Sequence, residues 1–324
     1  MPFFLFVGRG KASKDRPPMI TRHKIAPNGP EFSRLVYGTW RILDEADPAN
    51  CTPQALLSRF KACADMGITT LDTAEIYGVY KVEEALGGAL KLDPAFRNKI
   101  EIVTKCGIYI PCEFHPDRKV AHYNVTAARI IKSAEKSLRF MGIDEIDLLL
   151  VHRPDWLTSA DETAEGLNKL LKDGKIRSAG VSNYNVHQFD LLNSRMDQPL
   201  VTNQVEFSLL HMDPIYDGTA DQCQRHRILP MAWSPLAKGA LMEKEDPAAV
   251  RLHAKAAELS AKYSGATLDQ LAYAWIMAHP SCPMPIIGTN KLERIQAVVK
   301  AADIKLERED WYGLWEAAKG HGVP

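Results

Sequence analysis

The segment IDLLLVH, residues 146–152, decides the fold. Leu148 to Val151 are four aliphatic residues in succession, and the run ends on a histidine. A strand with one wet face alternates apolar and polar residues, whereas a strand covered on both faces is continuously apolar, as in a parallel sheet under helices. Comparable short runs recur on both sides, at Leu35–Thr39, Thr69–Asp72, Ile100–Lys105, Arg177–Ser182, Val201–Glu206, Leu229–Ser234 and Pro285–Gly288.

Amphipathic segments separate them. TPQALLSRFKACADMG (52–67) opens with a Thr cap and a Pro at the first helical position, and stops at Gly67. TAARIIKSAEKSLRFMG (126–142) carries Ile130, Ala134, Leu138 and Met141 on one stripe and stops at Gly142, while TAEGLNKLLKDG (163–174) stops at Gly174. Eight strand–helix units favour an α/β fold closed as a (β/α)8, or TIM, barrel over an open doubly wound sheet. HKIAPNGPEFSRL (23–35) predicts a hairpin around Asn28-Gly29 that plugs the lower end of the barrel. Helical patterns at Pro247–Tyr263 and Glu309–Lys319 lie outside the repeat. No low-complexity linker interrupts the chain, so residues 19–324 read as one domain. In MPFFLFVGRGKASKDRPPM the apolar run ends at Val7 and basic residues follow it, a poor signal peptide. Residues 1–18 are expected to be a disordered tail, with translation starting at Met19.

Forty basic and forty acidic residues balance to zero net charge, which provides no general attraction to nucleic acid or an anionic membrane. No run approaches eighteen apolar residues, so no membrane span is expected. Six cysteines, at 51, 63, 106, 112, 223 and 282, form no Cys-x-x-Cys pair, which indicates reduced thiols in a cytoplasmic protein. The histidines show no close ligand spacing, so no metal site is expected. No Gly-x-Gly-x-x-Gly follows the first strand, and a Rossmann dinucleotide site has no support.

In barrels of this kind the chemistry sits at the C-terminal strand ends. These positions carry Asp72, Lys105 and His152, with Tyr77 in the loop after Asp72, then Ser182-Asn183, Gln204 and Trp233-Ser234. Singly, each is readily explained as a cap, a solvated charge or a core histidine; at three successive strand ends a shared mouth is the better reading. Reducing a carbonyl by hydride transfer generates an alkoxide that needs a proton. A tyrosine with an ordinary pKa of about 10 is too weak an acid near neutrality, and a neighbouring ammonium lowers that pKa. Lys105 is expected to supply the ammonium, Asp72 to pair with it, and His152 to donate to the carbonyl oxygen.

LDTAEIYG (71–78), IVTKCG (102–107), LLLVHRPD (148–155), GKIRSAGVSNYN (174–185), TNQVEFSLLH (202–211), MAWSPLAKGAL (231–241) and PIIGTNKLERI (285–295) resemble, in order, the signatures of the aldo-keto reductase superfamily. Within it the chain is most similar to the bacterial YdhF-type oxidoreductases. The resemblance covers about Gly38 to Arg294, and it implies an NADPH-dependent reductase of aldehydes or ketones. It implies Tyr77 as general acid, with Asp72, Lys105 and His152 completing the tetrad. Gly38, Thr39 and Trp40 would line the mouth beside the nicotinamide. Ser182, Asn183 and Gln204 would bind its carboxamide, and Trp233 would replace the family's usual tyrosine under the ring. Ser234, Pro235, Leu236 and Gly239 would clasp the pyrophosphate of NADP+. Gly288, Thr289, Asn290 and Arg294 would meet the adenosine 2′-phosphate, favouring NADPH over NADH. Val298 stands where family members often carry an adenine-contacting Asn, with Gln296 as its replacement.

Substrate contacts are expected from Trp40, Tyr77, His152 and Phe207, and from loops 107–123, 153–158 and 207–212, with Phe114 and Trp156 as further aromatic walls. Family members that enclose steroids usually do so with a longer C-terminal loop than the GHGVP that follows Lys319, so the resemblance implies an open pocket for small or varied carbonyl compounds. Cys106 is expected to face the helix layer. A second reading is a nicotinamide-binding regulatory or redox-sensing subunit with little turnover, as in the potassium-channel β subunits that resemble this family. A third is a barrel enzyme without nicotinamide.

Overall fold

The structure, a computed structural model, describes residues 20–44, 46–243 and 245–324; the tail expected at 1–18 lies outside them. β1 (Arg22–Lys24) and β2 (Glu31–Ser33) form the expected antiparallel hairpin, with Arg22 opposite Ser33. Its turn centres on Pro27-Asn28, one residue earlier than expected, because Gly29 N–H donates to Ala26 O at 3.0 Å. A proline with its φ preset suits the first central position of such a turn. The hairpin lies across the N-terminal strand ends, where Ser33 Oγ accepts from the N–H groups of Thr69 and Thr70 at 3.2 and 3.1 Å. On the far side Ile25 O accepts from Leu229 N–H at 2.8 Å.

β3 (Val36–Gly38), β4 (Thr70–Asp72) and β5 (Glu101–Cys106) begin the barrel. A short antiparallel pair, β6 (Ile108–Tyr109) and β7 (His122–Tyr123), stands on the loop after β5. β8 (Leu148–Val151), β9 (Ala179–Ser182), β10 (Asn203–Glu206), β11 (Met231–Trp233) and β12 (Met284–Ile287) complete it. All neighbours are parallel, and β12 pairs with β3, so the sheet closes. Every side chain of β8 is buried, which explains the absence of alternation at 148–151. Burying one such aliphatic side chain contributes ~1.5–3 kcal/mol.

The helices are α1 (Pro53–Asp65), α2 (Tyr77–Tyr80, a single irregular turn), α3 (Val82–Leu92), α4 (Ala127–Met141) and α5 (Ala160–Lys172). They continue as α6 (Val186–Asn193), α7 (Asp213–Tyr216), α8 (Thr219–His226), α9 (Pro247–Ser260), α10 (Leu268–Met277), α11 (Leu292–Ala301) and α12 (Arg308–Lys319). α4 ends at Gly142, whose φ of 64° is left-handed and free of a Cβ penalty. α5 starts three residues before the expected Thr163, because Ser159 Oγ caps Glu162 N–H at 3.2 Å. Ser159-x-x-Glu162 is itself a capping signal that the sequence carried. The two helices outside the repeat, α9 and α12, are tied together: Arg251 of α9 donates to Ala317 O at 2.7 Å and Ala318 O at 3.0 Å. Among the described residues no helix is long and apolar enough to cross a membrane.

Candidate active site

Lys105 and Asp72 lie on adjacent strands, β5 and β4, with their side chains buried at the C-terminal mouth. The Lys105 ammonium has three donors and three acceptors: Asp72 Oδ2 at 2.8 Å, Thr73 O at 2.7 Å and Tyr77 Oη at 3.0 Å. Its positive charge is therefore retained. Burial alone pulls its pKa down, but the charges of Asp72 and Tyr77 and their hydrogen bonds together raise it.

The lysine lowers the Tyr77 pKa, as expected, but burial outweighs it and the net shift is upward. Burial pushes the phenol up, Lys105 pulls it down by less, and Asp72 adds to the rise, so the group stays above its ordinary value of 10. Lys105 is itself compensated by Asp72, which blunts its effect on the phenol. Tyr77 is consequently a neutral hydroxyl that accepts from Lys105 and keeps its own proton for a group in the mouth. His152, at the end of β8, stands with its ring centroid 6.0 Å from that of Tyr77. Burial holds its pKa well below 6.5, aided by Lys105 and Arg153, so the imidazole is neutral with one N–H to donate. Trp40 meets Tyr77 edge-on at 4.7 Å and is 57% exposed, forming one rim of the mouth.

The second half of the site is joined to the first. Trp233 Nε1–H donates to Asn183 Oδ1 at 3.0 Å, and Asn183 Nδ2–H donates to Ser182 Oγ at 2.8 Å and His152 O at 3.3 Å. Ser182 Oγ–H donates to Gln204 O at 2.8 Å, and Gln204 Nε2–H donates to Asp72 Oδ1 at 2.8 Å. One hydrogen-bonded chain thus runs from Trp233 to Tyr77 across five strand ends. Arg153 and Lys238 place cations 6.0 and 5.3 Å from the Trp233 ring. Beyond β11, Ser234, Ala237, Lys238 and Gly239 all have positive φ, and the chain curls into a tight loop closed by Ala237 N–H to Ser234 O at 2.8 Å and Gly239 N–H to Leu236 O at 2.9 Å. An added Cβ at Gly239 or Gly288 would meet nothing within 4 Å, so both border open space. Arg294 is exposed on the first turn of α11.

With this geometry in place, the comparisons with known proteins are decisive: residues 34–318 match the model of the Aldo/keto reductase family. The chain belongs to that family. It is 44% identical to the oxidoreductase YdhF of Escherichia coli K12, over 94% of this chain and 100% of YdhF. It is also 44% identical to the 6-dehydroglucose reductase of Agrobacterium fabrum, over 90% of this chain and 96% of that protein. Its structure resembles the glycerol dehydrogenase of Gluconobacter oxydans, with a TM-score of 0.80 at 27% identity, covering 91% and 94% of the two chains. This aldo-keto reductase is accordingly an oxidoreductase, of a family whose general reaction is carbonyl reduction with a nicotinamide cofactor.

Several expected contacts sit differently in the aldo-keto reductase mouth. Phe207 is 1% exposed and packs edge-on against Trp275 at 5.7 Å and His279 at 5.9 Å, so it is not a substrate wall. Its loop turns inward because Phe207, Leu209 and Met212 fill the space between the barrel and helices α9, α10 and α12. Thr39 lends its hydroxyl to Asp72 O at 2.9 Å. Both ends of the Asn290 amide are engaged, accepting from Tyr37 Oη at 2.9 Å and donating to Arg41 O at 2.6 Å. That side chain braces the loop, leaving its backbone for any anion. Thr289 Oγ1 accepts from Lys291 N–H at 3.3 Å, as a helix-start hydroxyl does. Trp156, 82% exposed, and Phe114, half exposed, remain open to solvent on the loops after β8 and β5. Cys106 is buried, and its burial pushes the thiol up, as expected for a side chain behind the strand.

Sequence reasoning missed the Gln204–Asp72 link, for which no local signal exists, and a buried carboxylate behind β5. Glu83, in the first turn of α3, accepts from Thr104 Oγ1 at 2.6 Å and Ser137 Oγ at 3.0 Å. Burial raises its pKa to about 7 against the pull of those two hydroxyls. An acid raised in the folded state binds more protons folded than unfolded between pH 4.5 and about 7, so the stability it confers is fullest below pH 4.5 and is lost as pH rises to about 7. Glu83→Gln should therefore stabilise the protein at pH 8 by up to about 3 kcal/mol and leave it unchanged near pH 4.5. Urea unfolding of both proteins at the two pH values checks this; an equal effect at both would rule out the ionisation as its cause.

Proposed function

We propose that this protein is an NADPH-dependent aldo-keto reductase that converts an aldehyde or ketone into an alcohol, with Tyr77 delivering the proton. The observation that carries this reading is the Lys105 ammonium saturated by Asp72, Thr73 O and Tyr77 Oη in the mouth, with the His152 ring 6.0 Å from that of Tyr77. In the proposal His152 donates to the carbonyl oxygen, and Tyr77 protonates that oxygen as negative charge develops on it. Lys105 balances the resulting phenolate, and Asp72, held by Gln204, keeps Lys105 charged and in place.

The residues present fit a dinucleotide. Asn183 and Gln204 retain acceptor capacity for an amide N–H, and the Trp233 face suits an aromatic ring. Ser234, Pro235, Leu236 and Gly239 belong to the loop after β11, which turns left-handed at Ser234 and at Ala237, Lys238 and Gly239 and borders open space at Gly239, where a pyrophosphate would lie. Gly288, the backbone of Thr289 and Asn290, and Arg294 offer donors at a helix start to the 2′-phosphate. Gly38, Thr39 and Trp40 border the place of the nicotinamide. When bound, that group supplies the hydride. A cytoplasmic setting belongs to the same proposal, since all six cysteines are free.

For the substrate, the 6-dehydroglucose reductase relative points to a hydroxylated aldehyde. The exposed rings of Trp40 and Trp156 offer flat apolar surfaces to the C–H face of a sugar, and Arg153 adds a donor. The test is NADPH consumption with a panel of aromatic aldehydes, ketones and sugar aldehydes. Oxidation with at least the aldehydes is expected; NADPH binding without turnover on any of them would refute the reductase reading. Arg294→Ala should raise the KM for NADPH about 10–100-fold, the worth of one charged hydrogen bond, and leave that for NADH unchanged. Equal effects on both cofactors would remove Arg294 from the 2′-phosphate.

A further inference from the structure

We propose that Tyr80 is a positioning residue for Tyr77, through which the β6–β7 hairpin holds the turn that carries the catalytic phenol. The inference rests on the proposed role of Tyr77. The turn after Tyr77 is left-handed over three residues, Gly78 (φ 55°), Val79 (φ 53°) and Tyr80 (φ 68°). Only the first is a glycine, and a β-branched residue such as Val79 is strained in this region. The backbone bonds across the turn are long: Tyr80 N–H to Ile76 O at 3.3 Å, and Lys81 N–H to Tyr77 O and Gly78 O at 3.2 and 3.3 Å. Something outside the turn has to keep it there.

Tyr80 provides the outside contact. Its ring is buried, and its hydroxyl accepts from Ile110 N–H at 3.1 Å and Arg118 Nη1–H at 2.8 Å while donating to Ile108 O at 3.4 Å. All three partners belong to the loop carrying β6 and β7. His115 of the same loop meets the ring edge-on at 5.1 Å. From below, the Lys136 ammonium of α4 lies 4.6 Å from the Tyr80 ring and 3.2 Å from Glu75 Oε1. Glu75, in turn, donates its N–H to Lys105 O at 3.0 Å. Residues 75 to 80 are thus gripped at both ends, with Tyr77 between the grips. The loop after β5 borders the mouth, so the same hydroxyl ties a substrate-facing segment to the proton donor.

Tyr80→Phe keeps the ring on Lys136 and removes only the hydroxyl bonds. Its kcat should fall at least ~10-fold, since small misplacements of a reacting group are costly. NADPH affinity, read by tryptophan quenching, should stay as in the parent. A raised KM with kcat retained would confine Tyr80 to shaping the hairpin and overturn the proposal. Val79→Gly adopts the left-handed turn without strain, so the double variant Tyr80→Phe/Val79→Gly should recover kcat to within about 3-fold of Val79→Gly alone. Failure of this rescue would also overturn it, because a purely structural loss is not repaired at Val79. Should Tyr80→Phe not fold, Arg118→Gln removes the shortest of the three bonds from the hairpin side and must lower kcat likewise. Tyr77→Phe is measured alongside. If that variant retains turnover, the proposed function fails; if it is inactive while Tyr80→Phe and Arg118→Gln match the parent, only the positioning role fails.

Discussion

Tyr77→Phe should turn over carbonyl substrates about 10²–10⁴-fold more slowly than the parent at neutral pH, the usual contribution of a positioned general acid. The ring keeps its edge-on contact with Trp40, so the mouth retains its shape and NADPH binding should be unaffected. Steady-state kinetics and a fluorescence titration separate these two quantities. The pH dependence is a second check on the same residue. Burial holds the phenol above 10, so it stays protonated throughout the neutral range; His152, held well below 6.5, stays neutral there. Turnover in the reducing direction should therefore be flat from about pH 6.5 to pH 9. A decline through pH 8 would mean that Lys105 outweighs burial and that the phenol is acidic after all.

Lys105→Met should be the most damaging single change to the fold among the mouth residues. It leaves the Asp72 carboxylate buried with the Gln204 amide but no opposite charge. Breaking a buried pair from one side costs ~3–5 kcal/mol, because the remaining charge has no counterpart. Asp72→Asn, which strands the ammonium instead, should cost a similar amount. The double variant Lys105→Met/Asp72→Asn buries no charge and should regain most of the loss, a coupling that urea unfolding can measure. Activity should not return with stability, since the group that balances the phenolate is gone. If Lys105→Met unfolds within about 1 kcal/mol of the parent, the pair contributes no more than a surface ion pair and does not hold the mouth together.

The two predictions differ in how much of their basis was legible from residues alone. Tyr77, Lys105, Asp72 and His152 could be named because a parallel barrel puts chemistry at strand ends and because each strand end is marked by where its apolar run stops. The sign of the Tyr77 shift reads as downward from the sequence, and the structure reverses it. It depends on how deeply the phenol is buried and on Asp72 already compensating Lys105, and both are properties of the assembled mouth. Phe207 shows the same limit from the other side. An aromatic residue just past a strand end reads as a wall of the mouth, yet Trp275 and His279, more than sixty residues away in the chain, draw it into the core.

What the sequence determined by itself is the set of eight strands, their parallel burial, the helix stops at Gly67, Gly142 and Gly174, and which polar residues face one mouth. These follow from local rules, since periodicity, capping and left-handed glycine conformations act over a few residues. The tertiary structure alone decided the Gln204–Asp72 bond, the engagement of Asn290 with Tyr37 and Arg41, and the raised carboxylate of Glu83. It also decided the grip of Tyr80 on the turn after Tyr77. Each joins side chains from separate elements. Burial and hydrogen-bond geometry exist only once those elements are packed, and no spacing along the chain encodes them.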